Sequence, residues 1–225
     1  MPEPVLTGRV VGVDLGRADD WTVAAVLDVL RDPRTPDQPR PMPRYALVHL
    51  VRMRHQPWPV IAERLGEMAR WPALDKARWG VDATGVGAPV VDLLRPHIPR
   101  LTAVTITAGA EATQPAANAA NVPKVALISN LEVLVQTRRL TVDSAVRDAD
   151  VLRQELAAYT YEISPAGKMT SGAAGSAHDD IVLALAIGLW IASHKGQGAA
   201  FMEAWGRLDA EGQALPRHNP NGPQR

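Results

Sequence analysis

Apolar residues fall into short continuous runs in the first half of the chain and into longer, helix-like groupings in the second. The runs "RVVGVDLG" (9–16), "WTVAAVLDVL" (21–30) and "RYALVHLVRM" (44–53) are rich in β-branched residues and bounded by turn formers, so each predicts a strand. Between the second and third lies "RDPRTPDQPRPMPR" (31–44), proline-rich and charged, which predicts a loop. Residues 57–70 carry apolar positions at helical spacing behind prolines that suit a helix start. "ARWGVDATG" (77–85) predicts a buried strand ending in a glycine turn, "GAPVVDLLRPHI" (87–98) a helix, and "LTAVTIT" (101–107) another strand.

Residues 108–121, "AGAEATQPAANAAN", show no period and little bulk and predict a flexible loop. A helix over 122–137, a short strand in "RRLTVD", a helix over 146–158 and a hairpin over 159–171 follow. Last comes the apolar stretch behind "SAHDD", too short to span a bilayer and suited to a core helix. Three strands followed by strand–helix units predict an α/β fold with a mixed β-sheet flanked by helices. The expected domain covers 1–195, and 196–225, ending in "PRHNPNGPQR", reads as a flexible C-terminal tail.

Composition narrows the chemistry. Of 225 residues, 46% are hydrophobic and 21% charged, a globular balance. Lys plus Arg and Asp plus Glu both number 24, so no global basic field announces a polyanion partner. The absence of cysteine excludes disulfides, thiolate metal sites and a cysteine nucleophile, and suits a cytoplasmic protein. The N-terminus lacks a signal-peptide pattern, and nothing predicts a membrane partner. The only Gly-Lys pair, at 167–168, lacks the opening glycine of a phosphate loop.

Against this background the placement of four acids matters. Asp14 ends "VVGVD", Asp82 ends "RWGVD", and Asp179 and Asp180 open the apolar helix. A buried carboxylate without a partner costs several kcal/mol or takes up a proton. Three such loci brought together would be relieved by a cation, and oxygen donors without cysteine favour Mg²⁺ or Mn²⁺. Each acid also has a plainer reading: Asp14 as a turn residue, Asp82 as an acceptor for amides of its glycine turn, and one aspartate of "HDD" as a helix cap. Adjacent helical residues diverge by about 100°, so Asp179 and Asp180 are not equivalent towards one ion.

The ordered set "GVDLGRADDWTVAAV", "WGVDATGVGAPVVDLL", "NVPKVALISNLEVLVQTRRLTV" and "SAHDDIVLALAIGLW" resembles the nuclease domain of the large terminase subunit of tailed bacteriophages, a ribonuclease H-like fold. The resemblance runs from about residue 8 to 194. It implies a DNA endonuclease that uses two divalent cations, with Asp14, Asp82 and Asp179 or Asp180 as their ligands. It implies Asp20 as an additional acid and Lys124 as a basic residue near the site. Implied partners are double-stranded DNA, the small terminase subunit and the portal protein, in the host cytoplasm. Members of this family carry an ATPase motor ahead of the nuclease, whereas this chain begins almost at the first nuclease strand. An isolated domain, a split gene and a prophage remnant all fit.

DNA-phosphate contacts would fall to Arg52, Arg54, Lys124, Arg139 and Lys168, with His178 also placed to reach a phosphate. Each equally reads as a solvated side chain. Rival readings are a sugar-kinase or actin-like ATPase, whose phosphate loops also read strand–Asp–x–Gly, a Holliday-junction resolvase on the same fold, and a non-catalytic docking domain of a packaging complex.

Overall fold

The computed structural model describes residues 3–16, 20–33, 42–85, 87–109, 111–163, 169–173 and 179–194. The three leading strands are β1 (Val5–Asp14), β2 (Thr22–Arg31) and β3 (Arg44–Met53), paired antiparallel as an up-and-down ribbon. Helix α1 (Trp58–Ala69) and a short 3-10 turn (Pro72–Leu74) lead to β4 (Arg78–Asp82), α2 (Gly87–Leu94) and β5 (Leu101–Thr107). Then come β6 (Thr113–Ala116), β7 (Ala119–Pro123), α3 (Lys124–Gln136), β8 (Leu140–Val142) and α4 (Ala149–Ala158). The hairpin of β9 (Tyr159–Ile163) and β10 (Met169–Ala173) precedes α5 (Asp180–His194).

Among the described residues eight strands form one mixed sheet, ordered β6-β7-β5-β4-β1-β2-β3-β8, and β9 and β10 pair separately. The expected α/β class with a mixed, helix-flanked sheet is what the chain adopts. One expectation fails: residues 108–121 are not simply a loop. β7 pairs in parallel with β5, from Ala103↔Ala119 to Thr107↔Pro123, and β6 lies against it at the sheet edge. Small residues give that segment no strand pattern of its own; the waiting edge of β5 organises it, as tertiary context overrides propensity.

Alternation along the strands divides the core in two. Val11, Val13 and Val81 face one way, towards Ile61, Leu65 and Leu94. Val10, Leu27, Leu47 and Val104 face the other, towards Leu127, Leu152, Ile181 and Leu185. Helix α5 is buried from Ile181 to Ile191 except at Leu183, which explains why its sequence is apolar nearly all round. It approaches the sheet unusually closely. A Cβ on Gly12 would lie 1.9 Å from the Ala184 carbonyl oxygen and 2.4 Å from the Gly188 nitrogen. Glycine in β1 therefore lets the helix backbone rest on the strand backbone.

The boundary in the contacts falls between Ala192 and Ser193, and the expected tail, 196–225, lies outside the described residues. Among the described residues no helix is long and apolar enough to cross a membrane.

Candidate metal centre

Sheet register brings the first two acids together. Val13 pairs with Val81 across the parallel β1–β4 ladder, so Asp14 and Asp82 are the next positions on neighbouring strands, about 4.8 Å apart in backbone spacing. Both follow glycines on the face that α5 covers: Gly12 touches α5 at Ala184 and Gly188, and Gly80 touches it at Ile187 and Ile191. The close helix–sheet contact thus delivers the start of α5, with Asp179 and Asp180, to the ends of these strands.

Electrostatics report the same convergence. Asp14 is 7% exposed, and its carboxyl is held well above the ordinary carboxylate range, first by burial and then by the charges of Asp82, Asp180 and Asp179. A hydrogen bond between the Asp14 and Asp82 carboxyls raises the first and lowers the second. Asp82 is also raised by burial, and the bonds from Thr84, with the Lys124 charge, offset part of it.

Hydrogen bonds decide among the plainer roles of these acids. The Gly16 amide donates to Thr22 Oγ1 at 3.2 Å, so Asp14 is not its turn acceptor. Asp82 does serve its turn, accepting from the Thr84 amide at 2.7 Å through Oδ1, while Gly85 supplies the positive φ of 99°. A carboxylate has a second oxygen, so this bond and metal ligation are compatible.

The helix-cap role meets an unexpected occupant. Asp179 stands at the N-cap position of α5, its carbonyl accepting from the Leu183 amide at 2.8 Å. The next amides, of Ile181 and Val182, donate not to an aspartate but to Glu155 Oε2 of α4, at 2.9 and 3.1 Å. The Asp179 Oδ2 instead accepts from Lys124 Nζ at 2.9 Å. Lys124 opens α3; burial lowers its pKa, but the Asp179 bond and charge, helped by Tyr159, carry it above its usual value.

The donor set fits a hard divalent cation: oxygen atoms only, and carboxyls whose mutual repulsion a cation would relieve. Among the described residues no three His, Asp or Glu side chains are yet drawn into a set that could hold an ion. Of the four acids, Asp179 is already engaged by the Lys124 ammonium.

The other residues singled out in the sequence scatter. Asp20 is exposed in the bend before β2. Arg52 is in line with the acids, because Asp14 pairs with Val23 and Val23 with Arg52, about 10 Å of sheet away. Its guanidinium lies over the Trp21 ring at 4.1 Å, with that of Arg54 at 5.6 Å from the same ring. Arg139 is at the other end of β3, where it donates to the Pro43 carbonyl at 2.9 and 2.6 Å, and is not brought to the acids. Lys168 and His178 lie outside the described residues. Sequence reasoning missed Glu155 and Trp21.

No protein-family model matches the chain, and no curated protein does. Solved structures do. The large terminase nuclease from thermophilic phage G20c with bound magnesium superposes with a TM-score of 0.56 at 22% identity, covering 84% of this chain and 82% of that one. The same nuclease with bound cobalt gives 0.56 at 22%, over 81% and 80%. The large terminase nuclease domain from bacteriophage SPP1 with bound Mn gives 0.52 at 12%, over 83% and 88%. The chain shares the ribonuclease H-like fold of these nuclease domains.

Proposed function

We propose that this chain is a divalent-metal-dependent endodeoxyribonuclease of the terminase large-subunit type, hydrolysing phosphodiesters of concatemeric viral DNA during genome packaging. The observation that carries the reading is the buried Asp14, beside Asp82 at the ends of adjacent parallel strands, with its carboxyl raised by burial and by the charges of Asp82, Asp180 and Asp179. That magnesium, cobalt and Mn are bound in nuclease domains of the same fold supports it.

Asp14 and Asp82 would hold two Mg²⁺ or Mn²⁺ ions together with Asp180 and Asp179. Bound there, such ions supply an activated water and stabilise the departing 3′ oxygen. Ligation by Asp14 would need its carboxylate form, and the upward shift of that carboxyl ties the proposed function to pH. Lys124 pairs with Asp179, and were Asp179 to turn to a cation, the ammonium would be left to offer its charge to a phosphate. Arg52 and Arg54, over the Trp21 ring and two strands from Asp14, would take the DNA backbone, a contact that positions without reading sequence. A separate ATPase motor, small terminase subunit and portal protein are the proposed partners, in the host cytoplasm.

Plasmid digestion in Mg²⁺, Mn²⁺ or EDTA, beside Asp82→Asn, tests this. Cleavage that needs the metal and fails in the variant supports the reading. Cleavage confined to four-way junctions would replace it with a resolvase, and no cleavage of any DNA in Mn²⁺ would leave a docking domain.

A further inference from the structure

Helix α5 begins where the proposed cations would bind, and an ordinary helix start would compromise that site. An N-cap aspartate normally turns its carboxylate back onto the amides two and three residues on. For Asp179 those are the amides of Ile181 and Val182. Both are occupied by a carboxylate from another helix, Glu155 of α4.

Glu155 is an odd residue for this task. It is 6% exposed, and its Oε1 is buried without a hydrogen-bond partner. Burial and the nearby charge of Asp180 push its carboxyl up to about 7, although both amide bonds and Arg52 pull the other way. A neutral apolar residue at 155 would avoid that penalty, but it would leave two buried amides unsatisfied. As the N-cap residue, Asp179 is the one whose side chain ordinarily satisfies such amides.

Resting on the nuclease reading above, we propose that Glu155 is a positioning residue: it caps α5 in place of Asp179 and so leaves the Asp179 carboxylate facing the cation site. Without Glu155, Asp179 rotates back onto its own helix and the site loses a donor. Changing an outer partner of a metal site typically lowers metal affinity about 10–100-fold.

The test uses the full chain and two readouts. Mn²⁺ affinity is measured by calorimetry for wild type, Glu155→Ala and Glu155→Gln. Glu155→Ala is expected to bind about 10–100-fold more weakly, and Glu155→Gln, which retains an amide acceptor, within about threefold of wild type. Equal affinities in all three, or equal losses in both variants, overturn the proposal. Thermal unfolding in EDTA gives a metal-independent check. Glu155→Ala should lower Tm more in an Asp179→Ala background than in wild type, since no aspartate is then left to recap the helix. Equal losses in the two backgrounds overturn it. Should wild type bind no Mn²⁺, the nuclease reading falls, and the unfolding cycle still decides the role of Glu155.

Discussion

Replacing Gly12 by alanine should separate the two backbones on which the site depends. The added Cβ would stand 1.9 Å from the Ala184 carbonyl oxygen and 2.4 Å from the Gly188 nitrogen, both main-chain atoms. Restoring ordinary contact requires α5 to retreat by about 1.5 Å. Alanine does restrict the unfolded chain, a gain of about 0.4–1 kcal/mol. Overpacking costs about 1–3 kcal/mol even where side chains can move, and here none can. The clash wins. At about 2–4 °C per kcal/mol for a domain of this size, Tm in EDTA should fall by roughly 5 °C or more. Gly188→Ala is the control. Its Cβ would meet the Leu27 Cδ1 at 2.8 Å and the Gly12 nitrogen at 3.1 Å, a milder crowding than at Gly12, and alanine gains about 1 kcal/mol of helix propensity. It should therefore lose clearly less stability than Gly12→Ala. Circular dichroism melts of both variants decide. A Gly12→Ala protein melting within about 2 °C of wild type, or one less affected than Gly188→Ala, would refute the close-packing argument. Any folded Gly12→Ala protein should also cleave DNA on the order of a hundredfold more slowly, because an ångström of misplacement at the reacting groups has that effect.

Three further outcomes follow from the site. Asp14 and Glu155 bind protons more tightly folded than unfolded, so each contributes stability fully present below its unfolded pKa, 3.8 or 4.5, and lost as pH rises through the folded value, about 7 for Glu155. In EDTA the Tm should fall between pH 5 and pH 8, and Asp14→Asn with Glu155→Gln should flatten the fall; a Tm that rises over this range contradicts the raised carboxyls. Arg54→Ala should raise KM for DNA with kcat unchanged and reduce the salt slope of binding by about one; an unchanged slope removes Arg54 from the phosphate path. Lys124→Met should free Asp179 for metal and also remove a phosphate contact, giving tighter Mn²⁺ binding with slower cleavage; weaker Mn²⁺ binding would show that the ammonium does not compete.

Much of this was legible in the sequence because the acids interrupt apolar elements. Asp14 and Asp82 each end a short apolar run that reads as a strand, so their meeting needed no more than adjacent parallel strands. The start of α5 was visible for the same reason. Glu155 was not: in "VLRQELAA" it resembles any exposed helical glutamate, although it stands three residues after the buried Leu152, on the inward stripe. Its role depends on a helix starting 25 residues later, which periodicity does not encode. β7 was missed because its partner strand, not its own small residues, makes it a strand. Trp21 reads in sequence as the first residue of an apolar strand, and nothing there marks it as the ring beneath Arg52 on the neighbouring strand.

The most direct measurement is a thermal-shift titration with Mn²⁺ in metal-free buffer at pH 8 and pH 5.5. Convergent carboxylates should give a rise in Tm that saturates at pH 8, shrinks at pH 5.5 as Asp14 keeps its proton, and disappears in Asp82→Asn. A wild-type Tm unmoved by Mn²⁺ at pH 8 would contradict the site.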